Sequence, residues 1–354
     1  MNLKILAAML ALAWMTAPPA AHAQYIWINV SYKVVLNPAD GTPPPGFSDL
    51  AVDQAITNAN GLLTNYSRGY RLRRVGNIEP VGGLSDMTGP SRWYATDFFD
   101  RTQVNGQSQG GLWKDQMEAA ARSDLAYRWD NTAMNLYIVA GICGGSCSFP
   151  HEGDNILVIG GCSTGNGSLQ LHEMGHYFSL FHTQGSTCGG CGNGPGQCNA
   201  PGDDEIADTL PDLQCWDQDQ IALNWTAVEN PPRNYATLSG GEKVTVDNVF
   251  FNLMSYHGNA DRLTELQLDR WTTGAEDPSR RGVISGITWF VAPDGPWFGV
   301  GRPGLPLPTV RAANGVVRPG DLVMLRAGRY NENLTLDQPA TYWATRQGSA
   351  TIGQ

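Results

Sequence analysis

The chain has 354 residues and a formal net charge of −10, from 33 acidic and 23 basic side chains. An excess of negative charge disfavours binding to nucleic acids and to anionic membrane surfaces, since both attract basic proteins. The low content of basic residues and the 42 glycines are typical of a secreted protein rich in loops. The length is sufficient for one large domain with an ample core and one smaller domain.

The first 23 residues have the pattern of a secretory signal peptide. Lys4 precedes a short apolar run over 5–14, and Ala21-His22-Ala23 supplies a cleavage site of small residues. The run is too short to span a bilayer, and no later stretch is long and apolar enough to do so. We therefore expect cleavage after Ala23 and a soluble protein, secreted or periplasmic, without membrane insertion. Seven cysteines in that oxidising compartment favour disulfide bonds, with one cysteine left unpaired.

Strands and helices are mixed along the chain, which predicts an α+β fold. Periodic apolar residues, turn residues and a helix-capping side chain define the elements. The residues at 155–161 form a continuous apolar run, which is typical of a central strand. The elements predicted ahead of the candidate site are a strand over 25–36, a helix from Ser48 or Asp49 to about 66, a helix over 111–129, a strand over 135–142 and a strand over 155–161.

The stretch HEMGHYFSLFH, from His172 to His182, carries the chemistry. On an α-helix, His172 and His176 are four residues apart, so both imidazoles project from one face at a spacing that suits one zinc ion. Glu173 follows the first histidine, and its carboxylate can reach a water molecule at the metal without occupying a coordination site, as a general base must. A catalytic zinc ion usually has three protein ligands.

His182 is the natural third ligand, but a straight helix cannot bring it to the metal. Six residues past His176, it would lie roughly 120° off the ligand face and about 9 Å along the helix axis. The helix must therefore end near Ser179, and the chain must turn back there. A residue that tolerates positive φ suits such a corner.

The stretch resembles the extended zinc motif of the metzincin metallopeptidases, H-E-x-x-H-x-x-G-x-x-H, with Ser179 in place of the usual glycine. The segment NLMSY at 252–256 resembles the Met-turn of that superfamily. The resemblance implies that Met254 forms an apolar floor beneath the histidines and that the Tyr256 hydroxyl donates to the oxyanion of the reaction. It also implies a metzincin-like catalytic domain, with a twisted mixed sheet, helices above the cleft and an irregular lower subdomain.

Acidic side chains are concentrated after the third histidine. Asp203, Asp204 and Asp208 lie in a Gly-rich loop that suits hard cations such as calcium, but a merely solvated acidic loop has the same composition. The run GDDEIADTLP at 202–211 is similar to a segment of pappalysin-type metzincins, in which calcium sites occur in this part of the fold. That resemblance covers roughly residues 130–275 and implies a secreted or periplasmic endopeptidase.

Four cysteines in the same region allow two structural interpretations. They can form a disulfide-tied loop or a structural zinc site, and export favours the disulfides. The four are Cys188, Cys191, Cys198 and Cys215.

From about residue 287 the composition becomes rich in proline and glycine, and short strands separated by turns follow. This pattern resembles the opening coils of pectin-lyase-like parallel β-helices, although about two coils are present where a stable array needs three or more. We therefore expect a signal peptide over 1–23, a metzincin-like zinc protease domain over 24–286 and a small β-rich extension over 287–354.

Two functions of different classes agree with these patterns. The first is a zinc-dependent endopeptidase acting on protein or peptide substrates, with Glu173 as general base. The second is a secreted binding protein with a structural zinc site, whose extension contacts a glycan or a cell-wall polymer. Glu173 and Tyr256 favour the first function, because a structural site uses neither.

Overall fold

A computed structural model describes most of the chain beyond residue 24. The expected signal peptide over 1–23 and three of the four clustered cysteines, at 188, 191 and 198, lie outside the described residues. The described ranges are 25–37, 40–66, 68–82, 112–140, 145–147, 156–185, 202–285, 288–317, 321–338, 340–344 and 349–353.

A mixed sheet forms the centre of the fold, as predicted. Its strands are β1 (Ile26–Val35), β2 (Tyr70–Arg74), β3 (Glu79–Val81), β4 (Met134–Val139), β5 (Gly145–Cys147), β6 (Ile156–Gly160) and β7 (Ile284–Ser285). The hydrogen-bonded order is β2-β1-β4-β6-β5, with β3 and β7 also paired to β1. Strands β1 to β4 and β6 run parallel, whereas β5 and β7 are antiparallel to their neighbours.

The central strands are buried on both faces. In β6, Leu157 and Ile159 enter a large core on one face of the sheet, whereas Ile156 and Val158 enter a smaller core on the other. Burial on both faces favours a continuous apolar run over strict alternation. The prediction of a central strand over 155–161 is therefore confirmed, as is the first strand over 25–36.

Some of the helices cover the two faces of the sheet. The described helices are α1 (Asp49–Leu63), α2 (Leu112–Ser123), α3 (Gly167–Tyr177), α4 (Gln218–Trp225), α5 (Gly240–Phe250), α6 (Glu265–Ala275) and α7 (Val310–Asn314). Helices α1, α3 and α6 contribute to the large core, and α2 contributes to the smaller one. Among the described helices, none combines the length and the apolar character needed to cross a membrane.

Of the two helices predicted ahead of the site, α1 begins where expected and ends at Leu63, three residues before the expected end, whereas α2 departs further. Ser48 caps α1, because the Ala51 amide donates to its hydroxyl oxygen at 3.1 Å. Helix α2 ends at Ser123, well before the expected end at residue 129. Asp124 caps a separate 3₁₀ turn there, and Arg128 then takes a left-handed φ of 58° that no helix can contain.

The C-terminal extension packs on the main domain. Its strands are β8 (Thr288–Val291), β9 (Leu322–Leu325), β10 (Gly328–Tyr330), β11 (Thr341–Ala344) and β12 (Ala350–Ile352). Strands β8, β9 and β11 form one parallel ladder, and β10 and β12 form another. Phe290, Leu322 and Met324 enter the large core of the main domain. The large core therefore extends across the expected boundary at residue 287, and the likeness to pectin-lyase-like proteins stays a prediction.

Candidate metal centre

Helix α3 holds the first two histidines on its buried side. Asn166 caps the helix, since its side chain accepts from an amide of the first turn at 3.0 Å. The Tyr32 hydroxyl of β1 donates to Gln170 Oε1 at 2.8 Å and fixes the helix against the sheet. His172 and His176 are 8% and 6% exposed, so their rings are held by packing as well as by the helix.

The chain turns back sharply behind this helix. The helix ends at Tyr177, and Ser179 has a φ of 74°. The Leu180 amide then donates to the Gly175 carbonyl at 2.8 Å, which closes the corner. Helix α6 lies directly against it, because a Cβ added at Gly274 would come within 2.9 Å of Ser179 Oγ. The structure thus places a tight corner between the second and third histidines.

Three histidine rings converge through their Nε2 atoms. His182 Nε2 lies 3.2 Å from His172 Nε2 and 2.9 Å from His176 Nε2. Nitrogen ligands of a tetrahedral zinc ion are separated by about 3.3 Å when the Zn–N distance is 2.0–2.1 Å. Within the described part of the chain, this is the one group of three or more histidine, cysteine or acidic side chains placed to hold a metal ion.

Backbone carbonyls fix the protonation pattern of two of these rings. His172 Nδ1 lies 2.6 Å from the Leu253 oxygen, and His176 Nδ1 lies 2.7 Å from the Leu180 oxygen. A carbonyl only accepts, so each Nδ1 carries a proton and, in the neutral ring, each Nε2 presents a lone pair. Two lone pairs directed at the Nε2 of His182, which has at most one proton, repel unless a cation lies between them. The donor set therefore fits a zinc ion.

Burial keeps the imidazoles in the form that binds a metal. It lowers the pKa of His172, opposed by the hydrogen bond to the Leu253 carbonyl. Burial lowers the pKa of His182 to about 3, and the neighbouring His172 adds to this effect. Neutral imidazole is the ligand form, so these shifts favour metal binding over protonation.

Glu173 is buried beneath the edge strand of the sheet. The residue is 5% exposed. Strand β5 begins at Gly145, and a Cβ added there would lie 2.5 Å from both Cγ and Oε1 of Glu173. Real Cβ contacts are essentially never that short, so with any larger residue at this position the Glu173 side chain or the strand would have to shift. The edge strand thus lies directly against the Glu173 side chain.

Met254 lies against the zinc-motif helix. It is fully buried, and a Cβ added at Gly175 would come within 2.3 Å of its sulfur. Asn252 shapes the turn, because its Oδ1 accepts from the Met254 amide at 2.8 Å. The Met254 carbonyl in turn accepts from the Thr183 amide at 3.1 Å. The turn is therefore tied to the segment that carries His182.

Tyr256 lies beside the histidines with its ring partly open to solvent. Its ring centroid is 4.5 Å from that of His182 and 5.8 Å from that of His172, and the residue is 46% exposed. Burial of the phenol, with Glu173 nearby, raises the pKa of Tyr256 above its usual value. The hydroxyl is thus a hydrogen-bond donor at neutral pH.

The three aspartates proposed for calcium have separate protein partners. Asp203 accepts from the amide of Glu205 at 2.9 Å. Asp204 is fully buried and accepts from Gln267 Nε2 at 3.0 Å, and burial raises its pKa to about 6. Asp208 accepts from the Thr264 hydroxyl at 2.6 Å. The described residues do not bring these carboxylates together as a metal-binding group.

Sequence reasoning missed a buried cluster next to the histidines. Asp212 is fully buried and accepts from the Thr183 hydroxyl at 3.0 Å and from His257 Nε2 at 3.0 Å. The one available signal was the position of His257, which directly follows Tyr256 and is one of six histidines in the chain. Its partner Asp212 is 45 residues away, so no local pattern joins them.

Comparison with known proteins adds a distant likeness. No family model matches the chain, and a search of curated proteins finds no match. Mature mirolysin of Tannerella forsythia in complex with a cleaved peptide is 18% identical, over 75% of this chain and 96% of that one, with a TM-score of 0.43. Mirolysin in complex with a compound is 17% identical, over 73% of this chain and 96% of that one, with a TM-score of 0.44. A promirolysin mutant of Tannerella forsythia is 16% identical, over 80% of this chain and 92% of that one, with a TM-score of 0.41. These similarities are too low to carry a functional conclusion. The functional proposal therefore depends on the geometry of the site.

Proposed function

We propose that the chain is a zinc-dependent endopeptidase that hydrolyses peptide bonds in protein or peptide substrates. The observation that carries the proposal is the convergence of three Nε2 atoms, two of them forced to present lone pairs, beside the buried carboxyl group of Glu173. A purely structural site needs no general base, whereas hydrolysis does.

Each side chain of the site has a distinct task in this reaction. Zinc held by the three histidines would supply Lewis acidity and bring the pKa of the attacking water toward neutrality. Glu173 takes the proton from that water and delivers it to the departing amine. The Tyr256 hydroxyl donates to the oxyanion that develops on the scissile carbonyl.

Assignment to the pappalysin-type metzincins is part of the proposal. The corner at Ser179, the buried Met254 and the run at 202–211 support it. A calcium site at Asp203, Asp204 and Asp208 stays a prediction that the contacts of these carboxylates do not support.

We also infer that the protein is exported. The signal-peptide pattern over 1–23 supports this, and so do the disulfide bonds of Cys162 and Cys215, because thiols stay reduced in the cytosol. Contact of the extension with a glycan or a cell-wall polymer stays a prediction.

Substitution Glu173→Gln tests the mechanism, because it keeps the shape of the side chain against Gly145 but removes the base. We expect kcat for a fluorogenic peptide to fall by at least about 100-fold. Zinc content, measured by elemental analysis, should remain at one ion per chain because the ligands are untouched. Full activity in this variant would exclude the mechanism.

Removal of the metal separates the two classes of function. An endopeptidase should lose casein cleavage with a chelator and regain it with added zinc. A secreted binding protein with a structural zinc site would bind the ion yet show no cleavage before or after chelation.

A further inference from the structure

The buried carboxylate of Asp212 connects two segments that reach the metal centre. Its Oδ2 accepts from the Thr183 hydroxyl at 3.0 Å, and both of its oxygens lie within 3.1 Å of His257 Nε2. Asp212 is fully buried, and the side chain of His257 is 4% exposed. A carboxylate in such a place is stable only with strong donors, so neither contact is incidental.

Hydrogen-bonding capacity fixes the direction of both contacts. Thr183 has a single hydroxyl proton and two acceptors in range, Asp212 Oδ2 at 3.0 Å and Gln184 Oε1 at 3.3 Å. The hydroxyl therefore donates to the nearer acceptor, the Asp212 carboxylate. His257 Nε2 faces a carboxylate and therefore carries a proton. The ring of His257 also stacks on Phe250 at 4.7 Å, which holds its plane.

Both donors are next in sequence to groups of the proposed active site. Thr183 directly follows His182, and His257 directly follows Tyr256. The buried Asp212 carboxylate thus links the segment that carries His182 to the segment that carries Tyr256. The rings of His182 and Tyr256 are 4.5 Å apart. Tyr256 is 46% exposed, so packing around its own ring constrains it incompletely.

We propose that Asp212, His257 and Thr183 are positioning residues that hold the Tyr256 hydroxyl in register with the metal centre. The inference rests on the proposed hydrolysis. It assigns to His257 a role exerted through Tyr256, and to Asp212 a role exerted through both segments. Such a link is useful because a misplacement of about 1 Å at a reacting centre can cost 100-fold in rate.

A double-mutant cycle on the full chain tests the role of His257. His257→Phe keeps a ring against Phe250 but removes the donor, and we expect kcat to fall by about 10- to 100-fold with KM nearly unchanged. In a Tyr256→Phe background the same substitution should lower kcat by less than about 2-fold, since the group it positions is gone. Equal losses in the two backgrounds would overturn the proposal.

A conservative variant guards against a mere folding defect. His257→Gln can still donate from its side-chain amide, and we expect its kcat to lie within about 3-fold of the wild-type value. Asp269→Asn serves as the matched control, because it removes a partner of the buried Arg68 outside the metal centre. It should lower the unfolding midpoint without lowering kcat of the folded enzyme. A kcat loss in the control as large as that of His257→Phe would count against positioning.

Zinc affinity supplies a readout that does not depend on hydrolysis. Loss of a group that orients a ligand segment weakens metal binding by about 10-fold or more, so Asp212→Asn should do so in competition with a chromophoric chelator. If the wild-type chain binds zinc but cleaves no peptide, the proposed hydrolysis fails, and this measurement alone decides the role of Asp212. If the wild-type chain cleaves peptides while zinc affinity is unchanged in Asp212→Asn and the kcat losses are additive, the positioning proposal fails and the hydrolysis stands.

Discussion

Ser179 occupies a backbone conformation that glycine adopts more easily. Its φ of 74° places Cβ too close to the following carbonyl, at a cost of about 1 kcal/mol. The surrounding corner is closed by the Leu180 amide and by the close approach of Gly274. These contacts fix the conformation whether or not the residue at the corner prefers it.

Ser179→Gly and Ser179→Ala should therefore differ in stability. We expect the glycine variant to exceed the alanine variant by about 1 kcal/mol in free energy of unfolding, less the greater entropy of glycine in the unfolded chain. Urea unfolding of both variants measures the difference. An alanine variant at least as stable as the glycine variant would show that the corner carries no strain.

Gly145 is the second residue at which close packing controls the site. Substitution Gly145→Ala places a Cβ 2.5 Å from the Glu173 carboxyl group unless one of them moves. Because a displaced base loses its alignment with the attacking water, we expect kcat to fall by about 100-fold. Zinc content should not change.

The control for this substitution is Gly258→Ala. A Cβ at Gly258 meets nothing within 4 Å, so kcat should stay within about 2-fold of the wild-type value. Should Gly145→Ala behave like this control in a peptide-cleavage assay, the edge strand does not confine Glu173.

At the scale of elements, strand β1 carries an unusual buried charge. Lys33 is fully buried and donates to the Ser31 carbonyl at 3.2 Å and to the Asn135 side chain. Burial lowers its pKa from 10.5 to about 7, although Asp130 and Glu79 act in the opposite direction. The folded chain thus releases a proton that the unfolded chain keeps until the pH is near 10.5.

The pH dependence of stability should reveal this lysine. Below about pH 7 the lysine is charged in both states and folding bears the full cost of its burial; the cost falls as the pH rises toward 10.5. Relative to Lys33→Met, the wild-type chain should gain about 2 kcal/mol of unfolding free energy between pH 7 and pH 9. Urea titrations at both pH values measure it, and parallel pH profiles for the two proteins would contradict the shift.

At the scale of the whole molecule, the extension has a small core of its own, and it also inserts side chains into the large core of the main domain. Arg68 is 1% exposed, pairs with Asp269 and Glu265, and lies 4.9 Å from the ring centroid of Trp343 in β11. Three apolar side chains of β8 and β9 enter the large core beside it. The extension therefore contributes to the packing of the main domain.

A chain that ends at residue 286 should consequently be unstable. Loss of three buried apolar side chains removes about 5 kcal/mol, a large part of the stability of an ordinary domain. We expect the full chain to unfold in one transition and the shortened chain to have a much lower midpoint or to aggregate. A chain ending at residue 348 is the control, because Ala350 and Ile352 of β12 pack against the small core of the extension. Equal midpoints for the 286 and full-length chains would contradict the contribution of the extension to the large core.

Local patterns were enough for part of the architecture. The capping serine at 48 and the apolar run of β6 predict their elements because neighbouring residues alone determine them. The predicted end of α2 at residue 129 was wrong, because the 3₁₀ turn that follows Ser123 depends on the Asp124 cap and on a left-handed Arg128. The burial of Phe290, Leu322 and Met324 in the large core was not predicted, since the change in composition near residue 287 gives no sign of contacts across it.

The sequence alone predicted a metal site with a neighbouring base, because the spacing of His172, Glu173 and His176 on one helix is a local property. It also required a corner before His182, since helix geometry forbids any other route. The contacts of the folded chain add that the Leu253 and Leu180 carbonyls orient two of the rings, that Gly145 lies against Glu173 and that Asp212 joins Thr183 to His257. Those contacts join segments far apart in the chain, or depend on the path of the backbone, and no local pattern encodes them.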